Sequence, residues 1–159
     1  MDREKLENDI RKLLDQQRLA VLATVGEEKP YTSLIAFDFT SDLSFIYFAT
    51  PRETRKYANL ISQPFVAFLI DSRTNSEKDF YQAAALTVQA MCQEISGEGK
   101  NSACLSFIER HPSLKNFVEL PTTALIQATV EKYIYVKDFQ QVYEYKVGYA
   151  DSKATVGTQ

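Results

Sequence analysis

Residues 122–136, "TTALIQATVEKYIYV", constrain this chain more than any other stretch. They alternate at period two, with Ile126, Ala128, Val130, Ile134 and Val136 on one face and Gln127, Thr129 and Glu131 on the other. A strand of this length needs hydrogen-bonding neighbours along its whole extent. Suitable neighbours are spread over the chain. "LAVLATV" (19–25) and "YTSLIAFDF" (31–39) flank the turn "GEEKP", and "LSFIYFA" (43–49) follows the turn "TSD". These three predict an antiparallel meander. "FVAFLID" (65–71) is an unbroken apolar run, expected to be buried on both faces. In 84–95, Leu86, Val88, Ala90 and Cys92 keep period two up to a break before Ile95, where a bulge is expected.

About six antiparallel strands result, and closure into a barrel is the simplest way for such a sheet to hide its edges. The helices are peripheral. Residues 2–17 place Leu6, Ile10, Leu13, Leu14 and Gln17 at a 3.6-residue period. Residues 102–119 read as helical, interrupted by Pro112. The 159 residues suit one domain, expected over 1–147, with a polar, small-residue tail over 148–159 expected to be mobile.

Composition narrows the functional classes. A net charge of −3 and a pI near 5.3 give no general basic field for nucleic acid. No apolar run approaches the roughly 20 residues that cross a bilayer. The charged start "MDREKLENDIRK" does not read as a secretory signal, and a cytoplasmic location is expected. Cys92 and Cys104 lack CxxC spacing, and one histidine cannot complete a metal site with them. That histidine, His111, reads as a loop residue beside Pro112, with a haem-ligand role as the alternative. Tyr133, Tyr135, Tyr143, Tyr145 and Tyr149 form a C-terminal aromatic cluster expected to pack on strands.

One segment runs against local electrostatics. In "FATPRETRKYANL" (48–60), Thr50 reads as a helix N-cap, Pro51 as the first helical residue and Glu53 as a capping-box carboxylate. Tyr57, Leu60 and Ile61 mark the buried face. Arg52, Arg55 and Lys56 would then crowd one side of a helix start, at a cost of roughly 0.3–1 kcal/mol per charge. A bound phosphate reverses that sign by accepting bonds from free N–H groups and from the cations. Solvation on an exposed face is the alternative.

"FATPRETRK" resembles the F-x-T-N-x-x-S-x-K motif of the pyridoxamine 5′-phosphate oxidase superfamily. Phe48, Thr50 and Lys56 match, Thr54 replaces the serine, and Pro51 departs from the asparagine. The neighbouring segments follow in the same order over about residues 10–138. The resemblance implies a six-stranded antiparallel Greek-key split barrel that holds FMN at the interface of a homodimer. It implies that Arg55 and Lys56 hold the FMN phosphate, that Ala49 and Thr50 lie along the flavin, and that Ser33, Leu34, Ile35 and Ala36 add contacts.

The departures are equally specific. Ser33 and Asp38 stand where the oxidases carry Arg and Lys, and Ala85, Thr87 and Ala90 replace Gln, Arg and Gly. The family's tryptophan is missing, as the chain has none. Arg52 would compensate for the arginine lost at Ser33. The implied function is an FMN-dependent oxidoreductase acting on a small molecule other than pyridoxamine phosphate, or a non-catalytic flavin or haem binder. F420 and haem remain alternative cofactors, and no catalytic side chain is assigned.

Overall fold

The structure is a computed structural model in which residues 1–148 are described. Most of the expected mobile tail, including Tyr149, lies outside the described residues. Helix α1 (Arg3–Gln16) begins at Asp2, whose carboxylate accepts a bond from the Lys5 amide (2.8 Å). It lays Leu6, Ile10, Leu13 and Leu14 on the core.

Eight strands follow: β1 (Leu19–Gly26), β2 (Lys29–Ala36), β3 (Asp38–Phe39), β4 (Phe45–Pro51), β5 (Phe65–Asp71), β6 (Ala85–Glu94), β7 (Thr123–Lys137) and β8 (Gln141–Lys146). They form one sheet in the order β2-β1-β5-β6-β7-β4-β3, with β8 on β7. All pairings are antiparallel. Helices α2 (Arg55–Ser62), α3 (Asp79–Gln82), α4 (Gly97–Arg110) and α5 (Lys115–Val118) lie outside, with a 3₁₀ turn at Pro112–Leu114.

β2 and β3 occupy opposite edges of this sheet, yet only Phe37 separates them in the chain. One continuous run of chain therefore joins the two edges and curls the sheet into the expected split barrel. The same kink corrects the expected meander. β2 pairs with β1, whereas β4 pairs with β3 and β7. The Phe37 side chain is buried in the core, and Asp38 accepts from its neighbour Phe39 N (2.9 Å) and from Ser106 Oγ (2.6 Å). The imidazole Nε2 of His111 donates to the Phe37 carbonyl (2.7 Å). Three side-chain interactions thus hold the chain where it changes partner. The count of eight strands, rather than six, comes from this kink and from the β7–β8 hairpin.

Two further expectations are corrected. β5 is covered on one face only: Val66, Phe68 and Ile70 are buried, while Phe65 and Leu69 are exposed. The bulge lies in β7, not near Ile95. Gln89 pairs with Lys132 and Ala90 with Val130, so Glu131 is the extra residue. It reverses the inward phase of β7, and Tyr133 and Tyr135 enter the core in place of Ile134 and Val136. Tyr143 and Tyr145 of β8 join them.

Candidate functional site

The segment expected to start a helix at Thr50 remains in the sheet for two more residues. Thr50 pairs with Ala124 and Pro51 with Thr123, and the Arg52 amide donates to the Thr122 carbonyl (3.2 Å). The length of β7 explains the correction, because it offers partners that compete with helix formation. Helix α2 begins instead at Arg55, capped by Thr54, whose hydroxyl accepts from Tyr57 N (3.4 Å). The buried face shifts accordingly: Asn59 and Leu60 are buried, and Ile61 is 55% exposed. The two motif threonines bind each other, Oγ1 to Oγ1 at 2.8 Å, and Thr54 also donates to the Pro51 carbonyl (2.9 Å). They brace the turn between β4 and α2.

The three cations consequently separate. Arg52 lies in the turn, outside the helix. Its guanidinium binds Glu94 through Nε (3.0 Å) and Nη2, and the Pro121 carbonyl through Nη1 (2.8 Å). Tyr57 Oη donates to the other Glu94 oxygen (2.6 Å). The hydrogen bond from Arg52 leads the causes that hold the Glu94 carboxyl below its ordinary value. Arg55 extends over the Tyr31 ring, with its Cζ 5.4 Å from the centroid. Among the described arginines only Arg18 and Arg55 lack a carboxylate within ion-pair distance, and Lys56, half-buried, lacks one as well.

Two cavities flank the start of α2. On the Lys56 side is an apolar slot of ≈ 320 Å³. Leu34, Ile35 and Ala36 of β2 and Ala49 of β4 form one wall, and Phe107, Leu114 and Phe117 form the other. Four of the sequence-predicted flavin contacts and one predicted phosphate ligand thus share one cavity. Ser33 lies next to it in the chain, and its buried Oγ has no hydrogen-bond partner among the described residues. Thr50 is fully buried, with its hydroxyl engaged by Thr54 and Pro51. The far wall was not anticipated. The break at Pro112 that turns Leu114 and Phe117 toward the barrel was its only trace in the sequence.

On the Arg55 side is a polar cleft of ≈ 410 Å³, bordered by Glu27, Lys29, Tyr31 and Asn59. Asn59 is buried and its Nδ2 donates to Thr24 Oγ1 (3.1 Å). Gly26 also borders the cleft, since a Cβ at that position would stand 2.0 Å from Asn59 Oδ1.

Other candidates recede. His111 lies in the break between α4 and the 3₁₀ turn, as expected, but is buried there, with its Nε2 engaged by Phe37. Burial pushes the Cys92 thiol up to about 12, and burial also raises that of Cys104. No group of potential metal ligands clusters among the described residues. No helix among them is long and apolar enough to cross a membrane.

The closing seam of this split barrel thus carries an apolar slot beside Lys56 and a polar cleft beside Arg55. The profile of the family described as pyridoxamine 5′-phosphate oxidase matches residues 6–137, and the chain belongs to that family. No curated protein sequence matches it. Among solved structures, a haem-binding protein from Mycobacterium smegmatis is similar at a TM-score of 0.81 and 13% identity, over 92% of this chain and 60% of that one. General Stress Protein 26 from Bacillus anthracis is similar at 0.63 and 24%, over 82% and 93%. An FAD-binding protein from Mesorhizobium loti is similar at 0.67 and 14%, over 80% and 90%. At these identities the likeness concerns the fold.

Proposed function

We propose that this chain is an FMN-binding oxidoreductase that works as a homodimer on a small molecule. The observation that carries the reading is the apolar slot between β2, β4 and α4–α5, with Lys56 at its helix end and Arg55 on the neighbouring cleft. Apart from Lys56 the slot lining is uncharged and apolar, which suits an isoalloxazine ring. The backbone N–H groups of Arg55 and Lys56, in the first turn of α2, have no acceptor within the helix. The Lys56 ammonium, the Arg55 guanidinium from the neighbouring cleft and the unpartnered Ser33 hydroxyl would add to them as donors for a phosphate. Arg52 is already neutralised by Glu94, so its part is to hold the turn.

When bound, the flavin supplies hydride and electron transfer, and the protein supplies position and exclusion of water. Phe107 and Phe117 cover the slot, Leu34 and Ala36 present a strand edge to the ring, and Lys56 fixes the phosphate end. Val25, Leu34, Phe65, Leu69 and Met91 are exposed and fall on one face of β1, β2, β5 and β6. The exposure of so large an apolar face supports a dimer, in which a second copy would bury it. The unpaired thiols accord with a reducing cytoplasm.

Haem binding without turnover is the second reading. The same slot suits a planar macrocycle, and the Mycobacterium smegmatis relative is a haem-binding protein. Against an imidazole ligand stands the burial of His111, which does not line the slot. The visible spectrum of the purified protein, followed by FMN titration with fluorescence quenching, tests both readings. Flavin bands or saturable quenching, lost in the Arg55→Ala/Lys56→Ala variant, support FMN; a Soret band alone supports haem. Reduction of bound flavin by NADH or NADPH and reoxidation by an acceptor separate an enzyme from a carrier.

A further inference from the structure

The two cavities beside α2 differ in chemistry, and a single phosphate group fills only a small part of the polar one. On the Lys56 side the walls are aliphatic and aromatic. On the Arg55 side the cleft continues past the helix start to Lys29, which is exposed and has no carboxylate within ion-pair distance. Tyr31 offers an aromatic ring beside it, and Asn59 an amide. The matching ligand has a flat apolar ring at one end, anionic groups in the middle and a polar, stackable group at the other end.

We propose that the polar cleft is a second anion subsite that takes the phosphate and base of an adenylate, with Lys29 and Arg55 as its ligands. The proposal rests on the flavin reading and goes beyond it. Lys29 and Arg55 bring two positive charges and Glu27 one negative, so the cleft retains a net attraction for phosphate that Glu27 weakens. Tyr31, whose ring Arg55 already approaches, offers the aromatic surface on which a base stacks. The adenylate arrives either attached to the flavin, as in FAD, or on a separate dinucleotide that reacts with bound FMN.

Titrations of the full-length protein with FMN and FAD, and of FMN-loaded protein with ADP, test this when repeated with Lys29→Ala and Glu27→Gln. Thermal melting of each variant controls for folding. If the adenylate is part of the cofactor, FAD binds at least tenfold more tightly than FMN. Lys29→Ala then removes the difference and leaves FMN affinity unchanged, while Glu27→Gln enlarges it. If the adenylate comes separately, ADP binds the FMN-loaded protein without displacing flavin, and Lys29→Ala weakens that binding severalfold. FMN binding with no preference for FAD and no Lys29-dependent ADP binding overturns the subsite and leaves the flavin reading intact. Failure of both flavins and of ADP overturns both.

Discussion

The guanidinium of Arg52 and the carboxylate of Glu94 join the turn after β4 to the end of β6, and Tyr57 donates to the same carboxylate from α2. Three chain segments meet on one acidic side chain, immediately behind the two uncommitted cations. Removing Glu94 should therefore loosen the turn that presents Arg55 and Lys56. Glu94→Ala is expected to lower stability by about 1 kcal/mol, since the cluster is partly exposed and screened, and to weaken flavin binding severalfold. The pH dependence has a definite sign. Glu94 is held below its ordinary value in the folded protein, so its stabilisation is complete above the usual glutamate range near about 4.3. It is lost as pH falls through the lower folded value. Urea melts of native protein and of Glu94→Gln should converge in acid and separate above that range.

Ser33 presents the opposite balance. Its hydroxyl is buried without a partner, so Ser33→Ala should leave the ligand-free protein equally stable or more stable by up to about 1 kcal/mol. The same change should weaken FMN binding severalfold while leaving riboflavin binding unaltered. Equal losses for FMN and riboflavin would show that the hydroxyl does not serve the phosphate.

His111 fastens the point at which the chain passes from β2 to β3. His111→Phe keeps the ring packed near Phe107 but strips the Phe37 carbonyl of its donor, at a cost of about 1–3 kcal/mol. Chemical denaturation should report this loss. Any haem taken up in the slot should keep its spectrum in this variant, since His111 is buried away from the slot lining.

The Asn59 amide fills the space that a Cβ at Gly26 would need. Gly26→Ala should cost about 1–3 kcal/mol, because the new methyl meets a side chain held in place by Thr24. Combining it with Asn59→Ala removes the collision, and the double variant should be clearly more stable than the sum of the single effects allows.

Cys92, buried on β6 with its thiol pushed up to about 12, should resist thiol reagents in the folded protein and react fully only after unfolding. Quantifying modified thiols with and without denaturant decides this.

The strands were legible in the sequence because alternation reports one-sided burial directly, as in Leu86, Val88 and Ala90. That Leu34, Ile35, Ala36, Ala49 and Lys56 belong together was legible through the family resemblance, and they line one cavity. Long-range competition was not. Nothing near Thr50 shows that β7 will claim it for the sheet, and Thr54 is an equally good cap four residues on. Glu131 looks like an ordinary outward residue, and only its pairing with β6 makes it an insertion that exchanges Ile134 for Tyr133 in the core. The wall built by Phe107, Leu114 and Phe117 was hidden because helical periodicity indicates which face is covered, not what covers it.

The run of chain through Phe37 also sets an order of events during synthesis. β1 and β2 can pair as soon as they leave the ribosome, but β4 pairs with β7, as in Ile46 with Ala128, across much of the chain. A nascent chain that has not reached β7 holds β4 with an unsatisfied edge, a surface on which chaperones and misassembly compete. The slot between β2, β4 and the α4–α5 wall spans that seam, so it is among the last parts of the molecule to come into existence. A cofactor present at that moment would act as a template for closing the barrel.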